Sequence, residues 1–403
     1  MKKRIILYVV FVSLCYSCSK ENNTSKSALR GTLIGNPVVE VTYSKTLLSE
    51  AIASFFGDYA QNLQYNYDVN LYKIDYNTID PEGNPTLASG LAIVPVSTTK
   101  SFPLLSYQHG TTLMKTNVPS QMKGDFEAGL IFATDGYIVA CPDYLGLGDG
   151  TQLHPYLHAK SEATAVIDML RAVRQFCKTK GFLLNNQLFL TGYSQGGHAT
   201  MAALKMIEEQ YSTEFNITAC SPMAGPYDLS GTQLNFVMRD IAYATPGYLP
   251  YVIFAYNNIY NMYTNLNLVF LPPYYDEFKV YFGNNPTSDL DVVDSLWPSS
   301  EIPSAVLQPN ITQSIIQNPN DPLKLALKDN DLYDWAPKSP VHLCQCDADE
   351  QVSYQNSVIA YNSFILNGST NIKLVMPLHG GTHETCAIPC LIDAYTWFGT
   401  LKQ

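Results

Sequence analysis

The sequence predicts an α/β fold: a mostly parallel, doubly wound sheet with helices on both faces, an N-terminal antiparallel hairpin and a largely helical lid insertion. Apolar runs of strand length alternate with amphipathic runs of helix length over most of the chain, as expected for such a sheet. The alternation stops between residues 225 and 338 and then resumes. The 403 residues are 46% apolar and 15% charged, which is enough for one large core that carries an insertion.

The N-terminus is typical of an export signal. Basic residues at 2–4 precede the apolar stretch Ile5 to Leu14, which is too short to span a bilayer as a helix. The stretch ends near Cys18, which follows a small residue and precedes a polar run. This resembles a bacterial lipoprotein processing site with Cys18 as the lipidated residue. Such sites usually have leucine where Cys15 stands, so ordinary signal cleavage is the alternative.

Composition and patterning divide the chain into four parts. We expect a signal peptide at 1–18, a flexible tether at 19–40, a core formed by 41–224 and 339–403, and a lid or cap at 225–338. The lid region is rich in Tyr, Asn and Pro and shows no alternation of strands with helices. An insertion that follows a core strand of such a sheet is in position to cover the cleft at the strand ends.

The core elements before the insertion follow in order from the spacing of apolar residues. Helical spacing predicts an outer helix over 43–59, and strand-like segments at 69–76 and 89–96 form a hairpin. The turn-rich residues 80–85 separate the hairpin strands. The next elements are strand 102–107, helix 125–135, strand 137–141, helix 160–180, strand 187–191, helix 198–210 and strand 217–223.

The insertion and the core elements that follow it differ in pattern. The insertion contains apolar helical stretches near 252–263 and 290–296. The alternation then returns with strand 341–346, helix 355–366, strand 372–376 and helix 386–401. The last part of the chain is therefore expected to complete the same sheet.

The most informative motif is the run 192–197, Gly-Tyr-Ser-Gln-Gly-Gly. It lies directly between a predicted strand and a predicted helix, the context in which G-x-S-x-G becomes a nucleophile elbow. Ser194 at the tip of a strained turn must point its hydroxyl into open space, so the surrounding backbone has to pack closely. Gly192 and Gly196 leave room for this packing, and Gly197 extends it into the first helical turn. We therefore predict Ser194 as a catalytic nucleophile, the alternative being a chance match in a surface loop.

A nucleophilic serine needs a base and a carboxylate that orients the base, and in this architecture both follow the serine in the chain. The loop after the first strand beyond the insertion offers Asp347 and Asp349, and the loop after the next strand offers His379 and His383. We predict Asp349 as the carboxylate, because Asp347 sits closer to the strand end and suits a turn or cap. We predict His383 as the base, because it precedes the last helix after two glycines, whereas His379 suits a strand cap.

The oxyanion of an acyl-transfer reaction requires backbone donors aimed at the developing charge. The N–H of Gln195, directly after the nucleophile, is one candidate. The second is the N–H of Thr111, in the loop after strand 102–107, and the Thr111 hydroxyl is a possible third donor. The alternative for residues 108–110 is an ordinary tight turn.

Four cysteines lie beside the predicted acid and base loops: Cys344, Cys346, Cys386 and Cys390. An exported protein can form disulfides, so at least one bridge among them is expected. A zinc site and free buried thiols are the alternatives. Cys141 and Cys220 fall in apolar strands and are expected to be buried.

Three motifs, with the order and spacing of Asp349 and His383, resemble the bacterial secreted lipase/esterase family related to fungal secretory lipases. The motifs are QHGTT at 108–112, PDYLGLG at 142–148 with HPY at 154–156, and GYSQGGH at 192–198. The resemblance runs from about residue 65 to the C-terminus. It implies an α/β-hydrolase fold, ester hydrolysis through an acyl-enzyme, and no metal or organic cofactor. It also implies that Asp143 and Tyr144 lie near the mouth of the site, although such a pair could simply anchor a loop.

These observations predict a serine-dependent esterase or lipase that acts on small-molecule, lipid or sugar esters. A serine peptidase of the same fold and a non-catalytic surface-binding lipoprotein are the alternatives. The formal net charge of −11 argues against a nucleic-acid partner. The N-terminus predicts an exported protein of the periplasm or outer-membrane surface, held to the membrane by its lipid.

Overall fold

The computed structural model describes residues 30–282 and 289–403, so the signal segment with Cys18 and part of the tether lie outside the described residues. The described part contains a single sheet of ten strands. The strands are β1 (Leu33–Ile34), β2 (Val41–Tyr43), β3 (Val69–Ile79), β4 (Pro85–Pro95), β5 (Ser101–Gln108), β6 (Ile138–Pro142), β7 (Leu183–Tyr193), β8 (Ile217–Met223), β9 (Val341–Cys344) and β10 (Ile372–Val375).

The sheet is antiparallel at one side and parallel through the rest. Its order is β1-β3-β4-β6-β5-β7-β8-β9-β10, with β2 paired to β3. All neighbouring pairs from β6 to β10 are parallel, while β4 is antiparallel to both β3 and β6. The predicted fold class, a mostly parallel sheet opened by a hairpin, is therefore confirmed. The parallel strands end at one edge of the sheet, where ligand sites of such folds form.

Helices cover both faces of this sheet. The α-helices of the described residues are α1 (Lys45–Phe56), α2 (Phe126–Thr134), α3 (Ala159–Lys180), α4 (Gln195–Gln210), α5 (Leu234–Val237), α6 (Tyr248–Tyr260), α7 (Tyr274–Tyr281), α8 (Leu290–Asp294), α9 (Pro309–Gln317), α10 (Pro322–Lys328), α11 (Gln355–Leu366) and α12 (His383–Leu401). One buried cluster joins the sheet to α3, α4 and α11, and the other joins it to α1, α2 and α12. Adjacent strand residues alternate between the two clusters, because successive side chains of a strand point to opposite faces.

Residues 225–338 build a third apolar cluster above the strand ends. Helices α5 to α10 supply most of it, and its largest buried side chains include Tyr256, Phe278 and Phe282. Three residues of the core, Leu113, Tyr156 and Leu157, pack into the same cluster. The segment is thus attached to the core through shared apolar contacts.

Several element ends differ from the sequence prediction because capping residues set them. The last helix begins at His383 instead of residue 386, since Thr382 forms a capping box with Thr385. The first helix is shorter than 43–59, because Ser44 caps its start and Gly57, with φ of 54°, ends it. None of the helices in the described part of the chain is long and apolar enough to span a membrane.

Candidate active site

Ser194 stands on a sharp turn between β7 and α4. Its φ of 60° and ψ of −121° are unusual for a residue with a side chain. The turn needs glycine because a Cβ on Gly196 would lie 2.0 Å from the Gln108 carbonyl oxygen. A Cβ on Gly197 would lie 2.2 Å from the Met223 carbonyl oxygen. The neighbouring strands therefore approach the elbow too closely for any other residue type.

The structure brings together the three side chains that the sequence singled out. Ser194 Oγ lies 2.9 Å from Nε2 of His383. Nδ1 of His383 lies 2.8 Å from Oδ2 of Asp349. The three residues follow β7, β10 and β9, so the carboxyl ends of three parallel strands hold them. They form one continuous line of hydrogen bonds from carboxylate to hydroxyl.

The two alternative candidates pair with each other at the surface. Nδ1 of His379 lies 3.2 Å from Oδ2 of Asp347, and the imidazole is 80% exposed. The N–H of Gly380 donates to Asp347, and this bond, together with His379, lowers the pKa of the Asp347 carboxyl. Neither residue reaches Ser194 through a hydrogen bond of its own, since this pair stands in a turn outside the cleft.

The Asp349 carboxylate is fully buried and held from several sides. Oδ1 accepts the backbone N–H groups of Gln351, at 3.0 Å, and Val352, at 2.8 Å. Oδ2 accepts the Gln345 side-chain amide at 3.1 Å, in addition to the histidine. Such a set of donors satisfies the carboxylate oxygens and fixes their direction. The tight turn at 349–352 is therefore part of the site.

The backbone of His383 is also fixed by residues near the site. Its N–H donates to Glu350 at 3.0 Å, and its carbonyl accepts the Tyr193 hydroxyl at 2.6 Å. The Tyr193 and His383 rings lie 5.0 Å apart between centroids. The sequence analysis assigned no role to Tyr193 or Glu350, although each is adjacent to a predicted site residue.

The four cysteines beside the site form two disulfides, Cys344–Cys390 and Cys346–Cys386. Cys346 stands three residues before Asp349, and Cys386 three residues after His383. The bridges therefore join the loop that contains Asp349 to the helix that begins with His383. Across residues 30–282 and 289–403, no group of three or more His, Cys, Asp and Glu side chains is placed to hold a metal ion. Cys141 and Cys220 are free and buried, as predicted.

The two predicted oxyanion residues flank Ser194. Thr111 lines the cleft together with Ser194 and His383, whereas Gln195 lines an apolar pocket beside the serine and begins α4 directly after it. The Thr111 hydroxyl hydrogen-bonds with the Tyr156 hydroxyl at 3.0 Å. The Tyr156 ring stacks on Tyr251 of α6 at 4.2 Å. The loop after β5 is thus braced by the 225–338 segment.

Asp143 and Tyr144 do not lie at the mouth of the site, contrary to what the resemblance implied. The Asp143 side chain is buried and accepts bonds from Ser89 Oγ, at 2.6 Å, and from the Ser120 N–H, at 2.9 Å. Burial raises the pKa of its carboxyl. The Tyr144 hydroxyl donates to the His109 carbonyl at 2.9 Å. The pair anchors the loops behind the oxyanion segment, which is the alternative that its chemistry allowed.

An apolar pocket opens beside Ser194 and Gln195. Core and insertion both contribute to its wall, and the insertion supplies most of the aliphatic side chains. These include Leu229, Leu234, Val237, Leu249, Val252 and Leu327. A pocket of this kind can take the apolar part of a small ligand and bring a polar group to the serine.

The elbow and its position on this sheet define the class of protein, an α/β hydrolase. Residues 125–399, more than half of the chain, match the model of the secretory lipase family. The chain belongs to that family and is an ester hydrolase. The family is described as secretory, which agrees with the export that the N-terminus predicts, while lipidation of Cys18 stays a prediction.

Solved structures of an esterase and of a lipase have a similar fold. The chain is similar to the rice cell wall degrading esterase LipA from Xanthomonas oryzae, with 30% identity over 92% of this chain and 99% of the other, and a TM-score of 0.81. Candida antarctica lipase A in its closed state shares the fold at 16% identity, over 94% of this chain and 84% of the other, with a TM-score of 0.70. A search of curated protein sequences finds no match.

Proposed function

We propose that the chain is a serine-dependent carboxylic-ester hydrolase that acts through an acyl-enzyme. The observation that carries this proposal is the line of hydrogen bonds from Asp349 through His383 to Ser194. The serine ends this line on a strained elbow that borders an open cleft. This arrangement suits a hydroxyl that must be deprotonated as it attacks a carbonyl carbon.

In the first half-reaction, Ser194 Oγ attacks the ester carbonyl carbon and its proton passes to Nε2 of His383. The oxyanion that forms is stabilised by the N–H groups of Gln195 and Thr111. As the intermediate collapses, His383 gives its proton to the leaving alcohol, and the acyl group stays on Oγ. Asp349 holds the imidazole in the tautomer that can accept the serine proton and stabilises the imidazolium.

In the second half-reaction, water takes the place of the alcohol. His383 Nε2 removes a proton from the water molecule, and the water oxygen attacks the acyl carbon. Collapse of the second intermediate returns the proton to Ser194 Oγ and releases the carboxylic acid. We further propose that the apolar pocket beside Ser194 holds the acyl chain, because insertion side chains make its wall aliphatic.

A fluorophosphonate probe tests the nucleophile. The folded protein is expected to be labelled at Ser194, and Ser194→Ala is expected to lose both labelling and ester hydrolysis. Absence of labelling in the folded wild type would favour the non-catalytic lipoprotein. A chain-length series of p-nitrophenyl esters, measured beside matched amides, separates an esterase from a lipase and from a peptidase. We expect hydrolysis of the esters, and preferential cleavage of the amides would favour the peptidase.

We also propose that Cys18 anchors the exported protein to a membrane. Its place after an apolar segment and before a polar tether supports this proposal. Metabolic labelling with a fatty acid should mark the full chain and not Cys18→Ala. Labelling of neither protein, with normal export, would indicate ordinary signal cleavage.

A further inference from the structure

A buried carboxylate lies directly beneath the elbow. Glu162, in the first turn of α3, is 1% exposed and stands on the apolar stripe of that helix. Its Oε1 accepts the side-chain amide of Gln195 at 2.9 Å. Its Oε2 lies 2.6 Å from Nδ1 of His198. A buried charge is costly unless it is paired, so both contacts are needed to keep Glu162 in this place.

The Gln195 side chain uses both hydrogens of its amide nitrogen in this network. The second hydrogen points to Nε2 of His154, 2.9 Å away. Burial lowers the pKa of His154 to about 4, so the imidazole is neutral near pH 7. Nδ1 of His154 lies 2.7 Å from the Leu145 carbonyl and must donate to it, which leaves Nε2 as an acceptor. The geometry therefore fixes the orientation of the Gln195 amide.

The network continues into the insertion. Nε2 of His198 donates to the carbonyl of Asn330 at 3.2 Å. The Asn330 side chain in turn bonds the N–H of Ala159, at the start of α3, and the hydroxyl of Tyr260 in α6. Core and insertion thus meet at one buried polar network under the nucleophile.

We propose that Glu162 is a positioning residue that holds Gln195, and through it the first turn of α4, in the geometry that the oxyanion requires. The inference rests on the proposed function, in which the Gln195 N–H is an oxyanion donor. The elbow residue Ser194 has a backbone conformation that persists only when its surroundings over-determine it. Glu162 and His154 each hold the side chain of Gln195, the residue directly after Ser194.

A matched control lies on the same helix. Asp168 of α3 is also fully buried, but its carboxylate bonds Arg30, Thr78 and Arg171, none of which borders the cleft. Asp168→Asn is therefore expected to lower the melting temperature and leave kcat per active site unchanged. A buried carboxylate with a purely structural role should behave like Asp168.

Two substitutions of Glu162 distinguish an effect on the placement of Gln195 from an effect on folding. Glu162→Gln keeps an oxygen for Gln195 and has an amide nitrogen that can donate to Nδ1 of His198, so kcat should stay within about 3-fold of wild type. Glu162→Met has a similar length and no strong acceptor. Since losing an oxyanion donor costs about 10²- to 10³-fold in kcat, a displaced donor should cost about 10-fold, with KM nearly unchanged.

Activity is expressed per site titrated with the fluorophosphonate, which removes the effect of unfolded protein. Gln195→Met keeps the backbone N–H and loses the side-chain bonds, and we expect a loss of kcat like that of Glu162→Met. The double variant should lose no more than either single variant, because both act through the same contact. Binding of a trifluoromethyl ketone, which forms a tetrahedral adduct with the serine, should weaken in parallel with kcat.

The inference is overturned if Glu162→Met keeps wild-type kcat per site, or if the double variant shows the product of the two single losses. If Glu162→Met does not fold, the test rests on Gln195→Met. An unchanged kcat of Gln195→Met then overturns the inference. Failure of the proposed function would appear differently. In that case the wild type would escape labelling, or Ser194→Ala would still hydrolyse the ester.

Discussion

Two aspartates two residues apart in the chain have opposite environments. Asp349 is buried, accepts two backbone N–H groups and faces His383. Asp347 is partly exposed and pairs with His379 in a surface turn. An exposed pair of this kind contributes little to stability, since water screens it. Position relative to the strand end, and not residue type, therefore separates the two carboxylates.

Asparagine at each position should show this difference directly. Asp349→Asn places an amide where the imidazole N–H must donate, so we expect kcat to fall by about 10³- to 10⁴-fold. Asp347→Asn should keep kcat within about 2-fold, because surface changes away from the site have small effects. Steady-state hydrolysis of one p-nitrophenyl ester by both purified variants measures this. Equal losses in the two variants would contradict the assignment of Asp349.

His158 gives the molecule a predictable response to acid. Burial lowers the pKa of this histidine to about 4, below its unfolded value of about 6.5. The unfolded state therefore binds more protons between these two values, and the free energy of unfolding falls as the pH is lowered from about 6.5 to about 4.

We expect His158→Asn to remove part of this acid sensitivity. Asparagine is a good residue for the start of α3, where His158 stands, and it does not titrate. Between pH 7 and pH 4.5 the wild type should lose about 2 kcal/mol more unfolding free energy than the variant. Urea unfolding at the two pH values measures the difference. A parallel loss in both proteins would show that His158 is not held neutral.

At the scale of elements, the contact between β9 and α12 brings Asp349 and His383 together. The two disulfides close loops of 46 and 40 residues between nearly the same points. Each bridge has one end near Asp349 in the chain and the other end near His383. Their shared location means that either bridge alone still holds the two elements together.

Removal of the bridges should therefore be markedly non-additive. Replacing one cystine by two alanines leaves the other bridge to close the long loop, so only about 2 kcal/mol of unfolding free energy should be lost. Replacing the second as well opens the loop of 40 or 46 residues and should cost about 4 kcal/mol more. Denaturant unfolding without reductant, on both single-bridge variants and the four-alanine variant, tests this. If removing the first bridge cost more unfolding free energy than removing the second, the explanation that both bridges close the same loop would be contradicted.

At the scale of the whole molecule, the apolar pocket exists only because the insertion covers the core. Ser194 and Gln195 come from the core, whereas Leu249 and Val252 come from α6 of the insertion. We expect Val252→Phe to shorten the acyl chain that the pocket accepts. The kcat/KM for an octanoyl ester should fall by about 10-fold or more, since each methylene in an apolar pocket is worth about 1–3 kcal/mol.

The acetyl ester serves as the internal control for that variant. Its acyl group does not extend into the pocket, so its kcat/KM should stay within about 3-fold of wild type. The p-nitrophenyl series from acetyl to octanoyl measures the ratio. A uniform loss over all chain lengths would place the acyl chain elsewhere in the cleft.

Much of the fold and of the candidate site could be predicted from the sequence, because the signals are local. The strand period, the helix period and the glycines around Ser194 depend on backbone geometry within a few residues. For Asp143 and Tyr144 the sequence left two interpretations open, a place at the mouth implied by the resemblance and an anchor for a loop. Only the packing of distant loops shows that both are buried and that the anchoring interpretation is correct. The contribution of Glu162 was missed for the same reason, although a charged residue on an apolar helical stripe was a visible signal.

The sequence by itself determined the fold class, the elbow and the order in which Ser194, Asp349 and His383 follow in the chain. The tertiary structure decided which aspartate and which histidine meet, which cysteines pair, and what lies beneath the elbow. Ser194 and His383 are 189 residues apart, and their 2.9 Å contact depends on the order of the strands that carry them. A turn is specified by its own residues, whereas a contact between distant segments is specified only when the whole core has packed.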